Sequence, residues 1–227
     1  MRAILPRWAD TRRVFGLVRV VTALTGIVAL IGYFNYSIGT SPLAIGNFFS
    51  YFTVQSMMFA VIVLILGAIN AFSSPVDPIW LDVTRVLAAT YVTVSGIVFA
   101  IILVEGTLRN IPVWAPWSSL IIHFVIPVIV LVDWLVAPGR SVPWKSLAWV
   151  LIFPSIWIVY TMIRGSSVYW YPYFFLDPDQ VSFPLEFGMY ALIIIGIITG
   201  ITSLLIAISR LPRMELMRER LARKREG

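Results

Sequence analysis

Cysteine is absent from this chain of 227 residues, which excludes disulfides, thiolate zinc sites and a catalytic thiol. Histidine occurs once and charged residues make up only 12%, against about 25% in a soluble globular domain. No glycine-rich phosphate loop, dinucleotide fingerprint, Gly-x-Ser-x-Gly elbow or internal repeat is present, so the chemistry of soluble nucleotide and serine enzymes has no motif to rest on. A lone histidine without cysteine cannot gather three or four ligands, and neither a metal nor another cofactor is expected.

What remains is apolar. Hydrophobic residues make up 59%, and the mean hydropathy is +0.91. Six windows, 14–34, 48–71, 81–104, 117–136, 144–163 and 187–208, each reach the ~20 residues that a ~30 Å hydrocarbon core demands. The expected fold is an all-α polytopic membrane protein, a six-helix bundle over 1–209 followed by a basic tail over 210–227. The first window is too long for a signal-peptide core and lacks a small-residue cleavage site, so it reads as an uncleaved helix.

The net charge of +6 is explained by topology before nucleic acid is invoked. If the windows alternate, fifteen of the seventeen Lys and Arg fall on the side of the termini, and only Arg109 and Arg164 fall on the other. The positive-inside rule then places both termini in the cytoplasm, which an even number of spans also requires. The tail carries Arg218, Arg220, Arg223, Lys224 and Arg225 among three glutamates, a pattern suited to anionic lipid. Membrane lipids are the expected partners, with no nucleic acid; the sequence leaves the oligomeric state open.

Ionisable groups in the spans are few. Arg19 is expected to snorkel to the headgroups, Asp82 and Arg85 to form a local i, i+3 pair, and Asp133 to end span four similarly. Gly196 and Gly200 in span six suggest close helix packing, and Pro154 a kink in span five. The deepest ionisable group is His123, ~9 Å below the surface opposite the termini at ~1.5 Å per residue. Pro127, four residues later, lacks the amide that would bond the His123 carbonyl. Span two carries Ser50, Thr53 and Ser56 on one stripe, with Thr53 ~8 Å down. A hydroxyl and an imidazole at matching depth can face one another as a nucleophile and its base. The plainer reading is that the hydroxyls bond their own carbonyls or bridge helices.

Around this pair, Asn47, Gln55 and Tyr190 offer hydrogen bonds, and Glu105 and Glu186 are the acidic candidates near that surface. The fifth loop gathers Tyr169, Trp170, Tyr171, Tyr173, Phe174 and Phe175, either as an interfacial aromatic belt or as a lid beside a cavity. Asp177 and Asp179 across Pro178 read as a turn more than a calcium site.

Three segments carry a resemblance: 46–56, reading GNFFSYFTVQS; 123–127, reading HFVIP and continuing to Asp133-Trp134; and 169–172, reading YWYP. In their order and span placement the chain resembles the androgen-induced protein and androgen-dependent TFPI-regulating protein family of six-span intramembrane threonine hydrolases. The likeness is closer to that family's bacterial six-span relatives. The resemblance implies Thr53 as nucleophile and His123 as its partner. It also implies a lipid ester of the fatty acid ester of hydroxy fatty acid type as substrate, and a bacterial plasma membrane as location. Asn47, Ser50, Gln55, Ser56, Tyr190 and Glu186 are then candidates for substrate contact or support. The alternative is a membrane protein that binds lipid or scaffolds a partner without catalysis; a proton-coupled transporter ranks behind both, for want of a second deep ionisable group.

Overall fold

The computed structural model describes residues 7–38, 44–108, 115–137, 139 and 141–211, without the side chains of residues 7–10, 44, 105 and 106. The tail beyond Leu211, Arg109, Arg140 and the Glu105 side chain therefore lie outside the described residues. Those described are all-helical, with no strand. The order is α1 (Arg7–Ser37), α2 (Ala44–Ser50), α3 (Phe52–Ser73), α4 (Ile79–Leu108), α5 (Trp117–Leu120), a π turn (Ile121–Val125), α6 (Ile126–Val136), α7 (Ser146–Val168), a 3-10 turn (Phe174–Leu176) and α8 (Leu185–Ser209). Six helical stretches are long and apolar enough to cross a membrane, with α5, the π turn and α6 together forming the fourth.

α4 is the central helix, packed against α3, α6, α7 and α8, while α1 lies along α3 and meets α5 and α6. Lipid tails are as apolar as leucine, so helices gain nothing by hiding hydrophobic bulk and associate instead through close packing and polar contacts. α1 shows this division. Leu17, Val21, Leu24, Val28 and Ile31 are all more than half exposed and form a lipid-facing stripe, while Ala23, Ala29 and Arg19 are buried. Small residues at the interface bring backbones together.

Polar contacts are concentrated at the end of the bundle that holds the start of α1 and the end of α8. Asp77, between α3 and α4, binds Arg12 at 2.5 Å and Arg85 at 3.1 Å; Arg85 reaches Asp82 at 3.3 Å and Asp133 at 2.9 Å. Arg19 does not snorkel. Its Nε donates to both Asp133 oxygens at 3.0 and 3.1 Å and its Nη1 to the Gly67 carbonyl at 3.0 Å, so burial with three acceptors replaces solvation by headgroups. The expected local Asp82–Arg85 pair is thus one link in a buried six-residue network, and Asp133 is its hub on α6. Gly196 and Gly200 also depart from expectation. A side-chain carbon on either would meet nothing within 4 Å, so these glycines mediate no packing among the described residues.

Candidate active site

Span two is interrupted. Tyr51 is extended (φ −66, ψ 130) between α2 and α3, so Ser50, Thr53 and Ser56 do not share one continuous helix. The break frees the Thr53 hydroxyl. A threonine inside a membrane helix ordinarily donates to the carbonyl four residues back, as Thr22, Thr25, Thr107, Thr199 and Thr202 do here. For Thr53 that carbonyl is Phe49, on the other side of the break, and Gln55 Nε2 already donates to it at 2.8 Å.

The liberated hydroxyl meets His123. Thr53 Oγ1 lies 3.3 Å from Nε2 of the imidazole, and the two residues are 6% and 5% exposed. Nδ1 lies 2.8 Å from the Ser119 carbonyl, which can only accept, so Nδ1 carries the proton and Nε2 presents its lone pair. Thr53 therefore donates to Nε2. Its oxygen in turn accepts from Ser95 Oγ at 2.7 Å.

α4 clamps the histidine through Gly96 and Phe99 as well. Pro127 removes one amide from the helix, and the preceding turn widens into the π turn that carries His123, with the Ile126 amide reaching back to the Ile121 carbonyl; such bulges recur at functional sites. The His123 carbonyl released in this way faces Gly96, where a side-chain carbon would collide with it. The imidazole is stacked on Phe99, centroids 3.8 Å apart and planes within 17°. Ser95, Gly96 and Phe99 thus fix the Thr53 hydroxyl, the histidine main chain and the ring plane from one helix.

The fifth loop closes over the first turn of α3. Tyr173 brings its hydroxyl to 3.5 Å from Thr53 Oγ1. The main-chain N–H groups of Phe52 and Thr53 belong to the first turn of α3, where N–H groups lack intrahelical acceptors. Burial, with Tyr51 close by, pushes the Tyr173 phenol up to about 12, so it stays protonated. Phe175 and Leu176 are 8% and 3% exposed whereas Tyr169 is 91% exposed. The loop is therefore no simple surface belt: Phe175 and Leu176 fold into the bundle, while Tyr169 and, at 40%, Phe174 are exposed as a belt would be. Asp177 accepts from the Asp179 N–H at 3.0 Å and from Gln180 Nε2 at 2.6 Å, a turn closed on itself.

The remaining candidates hold the frame. Asn47 accepts from Arg164 at 2.8 Å, Ser50 Oγ lies 3.1 Å from the Tyr160 hydroxyl, and the Ser50 carbonyl accepts from Trp157 Nε1 at 2.9 Å, so α2 is tied to α7. Ser56 donates to its own helix, to the Phe52 carbonyl at 2.5 Å. Glu186 is exposed and accepts the Ser182 N–H at 2.6 Å near the start of α8. Of these four only Ser56 touches the dyad, donating also to the Thr53 main-chain carbonyl at 3.2 Å. Tyr190 does not touch it, but with Phe52, Ser95 and Tyr173 it lines a cavity of about 150 Å³ among α4, α7 and α8.

The residues that the sequence did not single out are Ser95, Gly96, Phe99, Ser119 and Tyr173. Their signal was weak: a Ser-Gly pair within the apolar third span, and one tyrosine among several in a loop. No family model, curated protein or solved structure matches this chain.

Proposed function

We propose that the chain is an intramembrane hydrolase that cleaves a lipid ester, with Thr53 as nucleophile and His123 as base. The observation that carries this reading is the buried Thr53–His123 hydrogen bond, with the imidazole's other nitrogen committed to the Ser119 carbonyl. It is strengthened by the break at Tyr51, which leaves this threonine without the carbonyl partner that Thr22, Thr25, Thr107, Thr199 and Thr202 have.

In the proposed reaction the Thr53 oxygen bonds to the ester carbonyl carbon while its proton passes to His123 Nε2. The carbonyl oxygen becomes an oxyanion, for which the Thr53 and Phe52 N–H groups and the Tyr173 hydroxyl are the nearby donors, a contribution of several kcal/mol in a site shielded from water. Collapse breaks the bond to the alcohol, which leaves with the proton from Nε2. Water then attacks the acyl-threonine, giving its proton to Nε2, and the carboxylic acid departs as Thr53 recovers its hydrogen. Fatty acid esters of hydroxy fatty acids are the substrate class that the sequence resemblance implies. Both termini are assigned to the cytoplasm on the fifteen-to-two distribution of basic residues, which would put the dyad in the outer half of the membrane; a bacterial plasma membrane is what the resemblance implies.

The test is a fluorophosphonate probe applied to the detergent-purified protein, with the adduct mapped by mass spectrometry. A Thr53 adduct that disappears in His123→Ala is expected. No adduct under conditions where a lipid analogue is bound would sink the hydrolase reading in favour of a lipid-binding protein.

A further inference from the structure

The cavity beside the dyad differs in chemistry from the dyad itself. Leu151, Trp157, Ile158, Phe187, Ile194 and Ile198 are among its walls, and polar groups enter chiefly through Ser95, Ser155, Tyr173 and Tyr190. Ser95 is the residue that hydrogen-bonds the Thr53 hydroxyl, and Phe52 directly precedes Thr53, so the cavity begins where the reacting bond would lie. It runs away from that point between α7 and α8, whose outward residues Ile156, Val159, Leu192 and Ile193 are more than half exposed, as lipid-facing positions are.

We propose that this cavity houses the acyl chain of the ester, the part that remains bonded to Thr53 after the alcohol has left; the assignment rests on the hydrolase reading. An acyl-enzyme must keep its chain in place while water reaches the carbonyl, and an unbranched hydrocarbon is the occupant that leaves no polar group unpaired against such walls. A cavity of about 150 Å³ is the size that accepts a benzene-sized guest in an apolar interior. The first roughly six carbons therefore fit inside, and a longer chain continues between α7 and α8 into the bilayer. Carbons inside the cavity discriminate between substrates. Carbons beyond it do not, because protein and lipid are equally apolar there.

p-Nitrophenyl esters, acetate to decanoate, change only the acyl part and keep the leaving group constant. Detergent-purified wild type is expected to gain about fourfold in kcat/KM per added methylene, levelling off near six carbons. Ala191→Phe adds a ring at the cavity wall, away from the dyad. It is expected to leave acetate within about twofold and to cut hexanoate by about tenfold or more, the scale of discrimination by a filled apolar pocket. A flat chain-length profile in wild type, or equal losses on both esters in an Ala191→Phe protein of unchanged thermal stability, would overturn the assignment.

Failure of the hydrolase reading is told apart by a binding readout. Bromohexanoate in the cavity quenches Trp157, and the quenching is lost in Trp157→Phe. Quenching without hydrolysis of any ester keeps the chain site and removes the enzyme; neither quenching nor hydrolysis removes both.

Discussion

At the scale of single residues, the site depends on groups that deny one another alternative partners. Thr53 is available because the Phe49 carbonyl is taken by Gln55, and His123 presents Nε2 because Nδ1 is committed to Ser119. Thr53→Ala and His123→Ala are expected each to abolish ester turnover while leaving the thermal unfolding midpoint nearly unchanged; equal loss of folding in both would mark a structural contact instead. Ser95→Ala removes the donor that holds the Thr53 oxygen, and kcat is expected to fall about tenfold to a hundredfold with KM little altered. A fall in KM affinity alone would move Ser95 from positioning to binding. Gly96→Ala forces a carbon against the His123 carbonyl, and is expected to cost about 1–3 kcal/mol of stability, the usual range for overpacking, read as a lowered denaturation midpoint. Matching depth made Thr53 and His123 candidates to face one another, with the plainer reading still open, and the resemblance picked them out. Their supports were not legible, because a serine, a glycine and a phenylalanine inside an apolar span carry no signal until a neighbouring helix gives them a partner.

At the scale of elements, the same sequence feature had different outcomes in different helices. Pro127 was legible as a loosened turn, and it appears as the π turn around His123. The break at Tyr51 was not legible, since aromatic residues run through it without glycine or proline; it is fixed by tertiary ties from α7 to Asn47 and Ser50. Charged residues at the other end of the bundle misled for a related reason. Local spacing indicated only the Asp82–Arg85 pair, whereas Arg12, Arg19, Asp77 and Asp133 come from distant segments. Burial alone would raise the Asp77 carboxyl, but the hydrogen bond from Arg12 and the charges of Arg85, Arg12 and Arg19 outweigh it and hold this carboxyl below the usual range. A depressed carboxyl adds stability that is present above the unfolded-chain value of about 3.9 and is lost as pH falls through the folded value. The unfolding midpoint in detergent is therefore expected to be flat in this contribution from pH 8 to 5 and to drop below about pH 4, with the drop weakened in Asp77→Asn. A main loss between pH 7 and 5 would contradict this.

At the scale of the molecule, the bundle has two polar ends joined by an apolar middle. One end is a charge network that ties α1, the α3–α4 connection and α6 together; the other holds the Thr53–His123 pair under the fifth loop. The six helices long enough to span were legible because ~20 apolar residues in succession have few other uses; their orientation rests on the distribution of basic residues alone. Orientation is a property of the protein in its membrane, and under the proposed function it decides from which side water and a lipid ester would reach Thr53. The absence of cysteine makes orientation directly measurable, since any introduced thiol is the only one present. Ser182→Cys lies in the loop between α7 and α8 and is expected to react in intact cells with a membrane-impermeant maleimide. Ala222→Cys, in the basic tail, is expected to react only after the membrane is permeabilised. The reverse pattern would invert the bundle and place the dyad in the cytoplasmic leaflet. A hydrolase facing that way would draw on different lipids, while the local chemistry of Thr53 and His123 would be unaffected.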